Sequence, residues 1–198
     1  LHLSIRRQRQ MCIRDRHHDM GVILSAFVII LGLPFDLMSP RDFIQDPTRW
    51  VRQLNRQSEE ENVYTVVPNF ALELAVRYAD PAKVAELAEL DLSAVDGIIN
   101  GSEPVHHSSV QKFLDTFEPY GFKKEAMRPS YGLAEATLIV TTPQTDERPL
   151  TKWFKREELS DGTAVEGSAD DADSLSLVSL GQVCAVSYTH LRAHETDS

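Results

Sequence analysis

The sequence predicts an α/β fold, with a mostly parallel sheet flanked by helices. Three observations carry that expectation. Short β-branched or apolar runs occur as YTVV at 64–67, GIIN at 97–100 and MRPSY at 127–131. Between them lie FALELAVRYA and SSVQKFLDTF, whose apolar residues recur at helical spacing. Turn residues separate the runs. Strands divided by helix-length crossovers pair in parallel, and helices then cover the sheet.

The elements follow in order. GVILSAFVIIL at 21–31 is apolar nearly all round, which suits a buried helix. PFDLM at 34–38 is a short strand candidate. Ser39 and Pro40 supply an N-cap and a first helical proline. Asp46-Pro47 repeats the signal before TRWVRQLNR, where Trp50, Val51 and Leu54 share a face. Asn69 is placed to cap FALELAVRYA, and Asp80-Pro81 to cap KVAELAEL. GIIN runs into the turn NGSEP, and a further strand is expected at 137–141. From 142 to 174 the chain is long, polar and acidic, with one aromatic pair, Trp153-Phe154. Strand character returns at 175–184, and no internal repeat is visible.

Composition bounds the function. The 198 residues are 42% hydrophobic and 25% charged, ordinary for a globular domain with a real core. A net charge of −10 disfavours a nucleic-acid partner. Only two cysteines, Cys12 and Cys184, occur, which argues against a disulfide framework and fits a reducing cytoplasm. No apolar run reaches transmembrane length, so no transmembrane segment is expected.

The two ends read differently from the middle. RRQRQMCIRDR at 6–16 back-translates into the end of a transposase-type DNA-sequencing adapter. VSYTHLRAHET at 186–196 back-translates into the opposite adapter in reverse complement. Residues 1–16 and 185–198 are therefore expected to be adapter-derived, and 17–184 to be the native segment of a longer protein. Six of the 20 Lys+Arg and three of the 30 Asp+Glu lie outside that segment, leaving 14 against 27, or −13. The basic arm then says nothing about partners.

In a parallel α/β sheet, ligands sit beyond the carboxyl ends of the strands. That directs attention to PNF at 68–70, NGSEP at 100–104 and SYGLAEATL at 130–138. Tyr131 can stack on a flat heterocycle, Gly132 allows close backbone approach, and Glu135 can hold magnesium beside phosphate. The same residues also read as a plain turn with a core tyrosine and a solvated glutamate. HHDMG at 17–21 invites a metal reading, but adjacent residues of an extended strand face opposite ways. His106 and His107 read as exposed residues at a helix start.

Together HHDMG, PNFALEL, LDLSAVDGIINGSEPV, FLDTFEPYGF and RPSYGLAEATLIVTTP closely resemble the fatty-acyl-AMP ligases of the adenylate-forming superfamily. Within that family the resemblance is greatest to the long-chain branch of mycolic acid biosynthesis. It covers essentially all of 17–184 and implies part of the large N-terminal, AMP-binding domain. It implies that a long-chain fatty acid is activated with ATP and magnesium to acyl-AMP. The acyl group would pass to an acyl carrier protein or a polyketide synthase carrier domain. His18 and Asp19 match the motif where acyl chain meets phosphate, and Glu135 the magnesium ligand. Tyr131, with Gly132 after it, matches the adenine-stacking residue; Ser102 and Glu103 match the turn on the other side of the adenine. Asn69 and Phe70 match the wall near the acyl tunnel. Ala134 replaces the superfamily's usual threonine, as in the fatty-acyl-AMP ligases, and 142–174 falls where that branch carries an insertion. An acyl-CoA synthetase and a non-catalytic nucleotide-binding module are the alternative readings.

The superfamily's phosphate loop, ribose-binding aspartate and catalytic lysine do not occur among these residues, and together they supply most transition-state stabilisation. The 198-residue chain is expected to be inactive by itself. ATP-dependent pyrophosphate release should stay at the blank level; release equal to that of a full-length homologue overturns this expectation.

Overall fold

The computed structural model describes residues 19–57, 62–136, 138–144 and 147–184. It opens with helix α1 (Asp19–Ile30), followed by α2 (Pro40–Gln45) and α3 (Thr48–Gln53). Strand β1 (Val63–Val67), helix α4 (Asn69–Tyr78), strand β2 (Val95–Asn100), helix α5 (His107–Phe117) and strand β3 (Met127–Pro129) form the alternating core. Then come β4 (Tyr131–Gly132), β5 (Ile139–Thr142), β6 (Thr151–Lys155), α6 (Arg156–Ser160), β7 (Ser174–Val178) and β8 (Gln182–Val183).

The α/β expectation holds. β1, β2 and β3 pair in parallel in that order, through crossovers built on α4 and α5. The downstream strands form two smaller antiparallel sheets, β4-β5-β8 and β6-β7. The register aligns Val67 with Asn100 and Asn100 with Pro129, so all three core strands end at one edge.

Amphipathic packing builds the core. α5 buries Ser109, Val110, Phe113, Leu114 and Phe117, one face at i, i+3, i+4 spacing. α4 buries Asn69, Ala71, Leu72 and Ala75. Phe113 lies at the centre, with ring centroids 4.6 Å from Phe117, 5.4 Å from Phe122 and 5.9 Å from Trp50. Ile98 of β2 and Met127 of β3 complete the cluster, both fully buried. The Trp50 indole donates to Thr65 Oγ1 of β1 at 3.2 Å, tying α3 to the sheet.

Several local expectations are corrected. Helix α1 forms as expected but is not buried: Phe27 is 57% and Ile30 81% exposed. An all-round apolar helix needs packing partners on every side, and none of the described elements encloses this one. PFDLM at 34–38 forms no strand, since no neighbouring strand offers it a ladder. Asp80-Pro81 opens only a turn and a short 3-10 helix (Ala85–Glu89), although Asp80 Oδ1 does accept from Ala82 N. Within the polar stretch 142–174, β6 and α6 form; Trp153 and Phe154 pair with Ser176 and Leu175 of β7.

The first of the two early caps is as the sequence predicts; the second differs, because Pro47 and not Asp46 is the N-cap of α3 and no side chain caps that helix. Ser39 Oγ accepts from Asp42 N at 3.0 Å with Pro40 opening α2. Asp46 precedes α3 and accepts from the Thr48 hydroxyl at 2.6 Å and from Arg52. Burial alone would raise the Asp46 carboxyl; the Thr48 hydroxyl, the Arg52 charge and the Arg49 and Thr48 amides outweigh it and hold the group below its ordinary value. A depressed carboxylate stabilises the fold above its unfolded pKa, and the contribution fades as pH falls through the folded value. Asp46→Asn should therefore cost roughly 0.2–1 kcal/mol at pH 7, the scale of a largely solvated ion pair, with the difference from wild type fading at strongly acid pH, where the carboxyl is protonated in both states. Urea denaturation at both pH values checks this; an equal difference at both overturns it.

Candidate active site

The three turns singled out above meet at the carboxyl edge of the parallel sheet. The ladder continues just past the strands. Gly101 N donates to Val67 O at 3.2 Å, and Ser130 N donates to Asn100 O at 2.8 Å. A Cβ on Gly101 would stand 2.8 Å from Ser130 O, so only glycine fits there. Ser102 then takes a left-handed φ of 67°, unusual for a residue with a side chain.

Glu103 lies at the tip of this turn, exposed, with Oε1 accepting from Phe70 N at 2.6 Å. It thereby satisfies one of the free amides in the first turn of α4, where a carboxylate also suits the helix dipole. Phe70 itself is 45% exposed, with its ring edge-on to Phe43 at 6.1 Å.

Asn69 does not cap α4 through its side chain. It is the first helical residue and is buried, and its amide is spent on the α4–α5 junction. Nδ2 donates to Ser109 Oγ at 3.1 Å and Glu73 Oε1 at 3.3 Å, while Oδ1 accepts from His106 N at 3.1 Å. Ser109 Oγ donates to Glu73 Oε1 at 2.6 Å, closing the network. A buried amide with every group paired fixes geometry tightly.

Tyr131 is 48% exposed, presenting an open aromatic face rather than filling the core. Gly132 also serves the local fold. A Cβ there would overlap the Leu138 carbonyl, so the glycine permits the tight β4–β5 hairpin. Ser130, between β3 and β4, is buried; its hydroxyl lies 3.0 Å from both Arg128 O and Thr142 Oγ1. Glu135 lies in a short 3-10 turn (Ala134–Ala136) and is exposed. His18 lies outside the described residues. Asp19 opens α1, and its side chain also falls outside what the structure describes. The edge thus brings together Asn69, Phe70, Ser102, Glu103 and Tyr131. His106 is exposed, but His107 is part-buried, with Nδ1 2.9 Å from Thr151 Oγ1 and its ring 5.2 Å from Trp153.

Among the described residues no group of three or more His, Cys, Asp or Glu side chains is arranged to hold a metal. A single exposed carboxylate such as Glu135 does suit magnesium shared with phosphates, because that ion commonly takes one or two carboxylates plus phosphate oxygens. No helix among these residues is long and apolar enough to cross a membrane.

The model of the AMP-binding enzyme family matches residues 2–157. The chain belongs to this family. Long-chain-fatty-acid–AMP ligase FadD32 of Mycobacterium marinum is 44% identical over 167 residues, which are 84% of this chain and 26% of that protein. FadD26 of Mycobacterium tuberculosis, also a long-chain-fatty-acid–AMP ligase, is 39% identical over 83% of this chain and 27% of its own length. The chain thus spans about a quarter of the relatives it matches. A crystal structure of the fatty acid AMP ligase from Legionella pneumophila superimposes with a TM-score of 0.74 and 33% identity, covering 84% of this chain and 28% of that one. The fold of this AMP-binding chain is that of the N-terminal domain of adenylate-forming enzymes.

Two further residues stand out at the edge, Asn100 of NGSEP and Glu73 of PNFALEL. Asn100 is fully buried, and neither amide atom has a partner among the described residues. Glu73 gains its importance only from the pairing of α4 with α5. A polar residue inside an otherwise apolar helical face, as at Asn69 and Ser109, was the available clue. Removing the hub should expose its cost: Asn69→Ala leaves the His106 amide without its acceptor, for a loss of about 1–3 kcal/mol. Thermal and urea melts read this; a change under half that lower bound overturns the assignment.

Proposed function

We propose that the polypeptide to which this segment belongs activates a long-chain fatty acid with ATP, forming acyl-AMP and pyrophosphate. The reading is supported by one conjunction. The likeness to long-chain-fatty-acid–AMP ligases extends over 84% of a chain whose three family-matching turns share one sheet edge. A related ligase, 33% identical, was crystallised with acyl adenylate and pyrophosphate.

In this reading the fatty acid carboxylate attacks the α-phosphorus and pyrophosphate leaves. Two anionic reactants must be positioned and their charge neutralised, with little covalent help from the protein. Tyr131 offers its open ring to the adenine, with Gly132 forming the hairpin behind it. Ser102 and Glu103 shape the turn on the other side of the base. Asn69 and Phe70 border the acyl side, and His18 and Asp19 line the meeting point of acyl chain and phosphate. Glu135 holds magnesium, which when bound neutralises charge on the phosphate oxygens.

The acyl group then passes to an acyl carrier protein or a polyketide synthase carrier domain. This reading rests on the resemblance at 142–174, where the fatty-acyl-AMP ligases carry an insertion and where β6 and α6 are found. A reducing cytoplasm is the proposed compartment, in keeping with the unpaired Cys184.

We further propose that 17–184 is the native part of the sequence, with 1–16 and 185–198 adapter-derived. The long-chain-fatty-acid–AMP ligases among the relatives align over 165 to 167 residues, close to the length of that segment. The family match begins at residue 2 and crosses the proposed boundary. The back-translated adapter string weighs more, because it accounts for the residues codon by codon. Native codons at the ends of the nucleotide sequence overturn the division.

Pyrophosphate exchange in a polypeptide of the relatives' full length carrying this segment tests the activity. Tyr131→Ala should raise KM for ATP about tenfold or more, the worth of one base–aromatic stack. Glu135→Gln should lower kcat and raise the magnesium requirement. Unchanged ATP and magnesium dependence in both variants overturns these roles. Product analysis with coenzyme A present separates the rival chemistry: a thioester indicates an acyl-CoA synthetase.

A further inference from the structure

We infer that Glu103 is a positioning residue that couples the nucleotide side of the site to the acyl side, through the amino end of α4. The observation is the hydrogen bond from Phe70 N to Glu103 Oε1, 2.6 Å long. This inference rests on the acyl-adenylate reading above.

The turn that carries Glu103 is held at three places. Its start is fixed by Gly101 N on Val67 O, at 3.2 Å. Its far end is fixed by His106 N on Asn69 Oδ1, at 3.1 Å. Glu103 supplies the middle attachment, on the residue directly after Asn69. Between the first and second attachments, Ser102 holds its left-handed φ of 67°. Such a conformation persists when the surroundings over-determine it, and these attachments do so.

The bond also suits its chemistry. Pro68 precedes α4 and offers no side-chain cap, so the amides of the first helical turn need an outside acceptor. A carboxylate there gains both a charge-assisted hydrogen bond and the favourable end of the helix dipole. The carboxylate is therefore engaged with the protein backbone. Its effect on a nucleotide comes through the shape of the turn at 101–103.

The consequence is a link between two substrates. The turn borders the proposed adenine site, and Phe70 borders the proposed acyl site. One carboxylate bonds the first to the second. Releasing it leaves the turn held only at its two ends and takes the outside acceptor from the first turn of α4. Loss of Glu103 should therefore weaken both substrates together, whereas a simple adenine contact would weaken ATP alone.

The test compares Glu103→Ala and Glu103→Gln in the full-length polypeptide carrying this segment. Pyrophosphate exchange is measured with ATP and palmitate varied separately, and hydrogen exchange is followed at the Phe70 amide. Glu103→Ala should raise KM for both substrates about tenfold and speed Phe70 exchange by at least that factor. Glu103→Gln keeps an acceptor oxygen and should recover most of each loss. The proposal is overturned if only KM for ATP changes, if kcat alone falls in proportion to the folded fraction, or if glutamine behaves like alanine. Equal Phe70 exchange in wild type and Glu103→Ala refutes the tether itself. A wild-type polypeptide with no exchange activity overturns the acyl-adenylate reading, and the positioning role with it. Fast Phe70 exchange in Glu103→Ala then leaves Glu103 as a helix cap only.

Discussion

Everything at the candidate site depends on the parallel ladder of β1, β2 and β3 ending in step. Parallel pairing fixes register along the strands, and the hydrogen bonds of Gly101 with Val67 and of Ser130 with Asn100 extend it one residue past the last pairs. A one-residue slip would turn every side chain of a strand to the opposite face. Ile98 and Met127 would leave the core, and the turns at 68–70, 101–104 and 130–132 would no longer meet. The burial of the aromatic core therefore also sets the alignment of the site. Phe113 and Phe117 act at a distance, by fixing which face of the sheet lies inward.

Close approach is the second constraint, and glycine meets it. At Gly97 a Cβ would come 2.7 Å from the Tyr64 ring, which in turn carries the Arg128 guanidinium 5.8 Å from its centroid. At Gly101 the obstacle is the Ser130 carbonyl, a backbone atom that cannot swing aside. The two positions have different tolerance. A side chain at 97 could displace the exposed Tyr64 ring, while one at 101 must push β3 away from β2. The glycine of NGSEP is thus a requirement of strand spacing as much as of turn conformation.

The legible parts of the sequence were those governed by local pattern. The YTVV and GIIN strands, the SSVQKFLDTF helix and the Ser39 cap follow from β-branched runs, helical periodicity and a short polar side chain before proline. The failures share one cause. The run at 34–38 has strand composition without a partner strand. KVAELAEL has helical composition, yet it follows a tight turn and ends against Leu90 and Leu92, which are drawn into the core. Helix α1 is apolar on all sides, and composition gives no account of which surface encloses it. At the site, residue types pointed to three turns that the structure brings to one sheet edge, but the partners of their side chains were not legible. Asn69 reads as a cap until α5 is placed beside α4; only then is its amide seen to face Ser109, Glu73 and the His106 backbone. Glu103 reads only as part of the NGSEP turn until the fold brings the Phe70 amide of α4 to its carboxylate.

The antiparallel part of the chain is not an independent appendage, because it is fastened to the amino end of α5. His107, the first residue of that helix, lies 2.9 Å from the Thr151 hydroxyl at the start of β6 and meets the Trp153 ring edge-on at 5.2 Å. On the neighbouring residue, His106, the backbone amide is already committed to Asn69. Two consecutive residues therefore join the β6–β7 hairpin, α5 and α4 in series. The turn bearing Ser102 and Glu103 lies directly before them in sequence. Only Pro104 and Val105 separate that turn from His106, so a displacement of the hairpin has a short path to it. The ion pair of Lys152 with Glu166 and the full pairing of β6 with β7 keep the hairpin itself in one piece. The physical order of the chain is thus core first, strand edge second, and then turn, helix ends and hairpin locked to that edge.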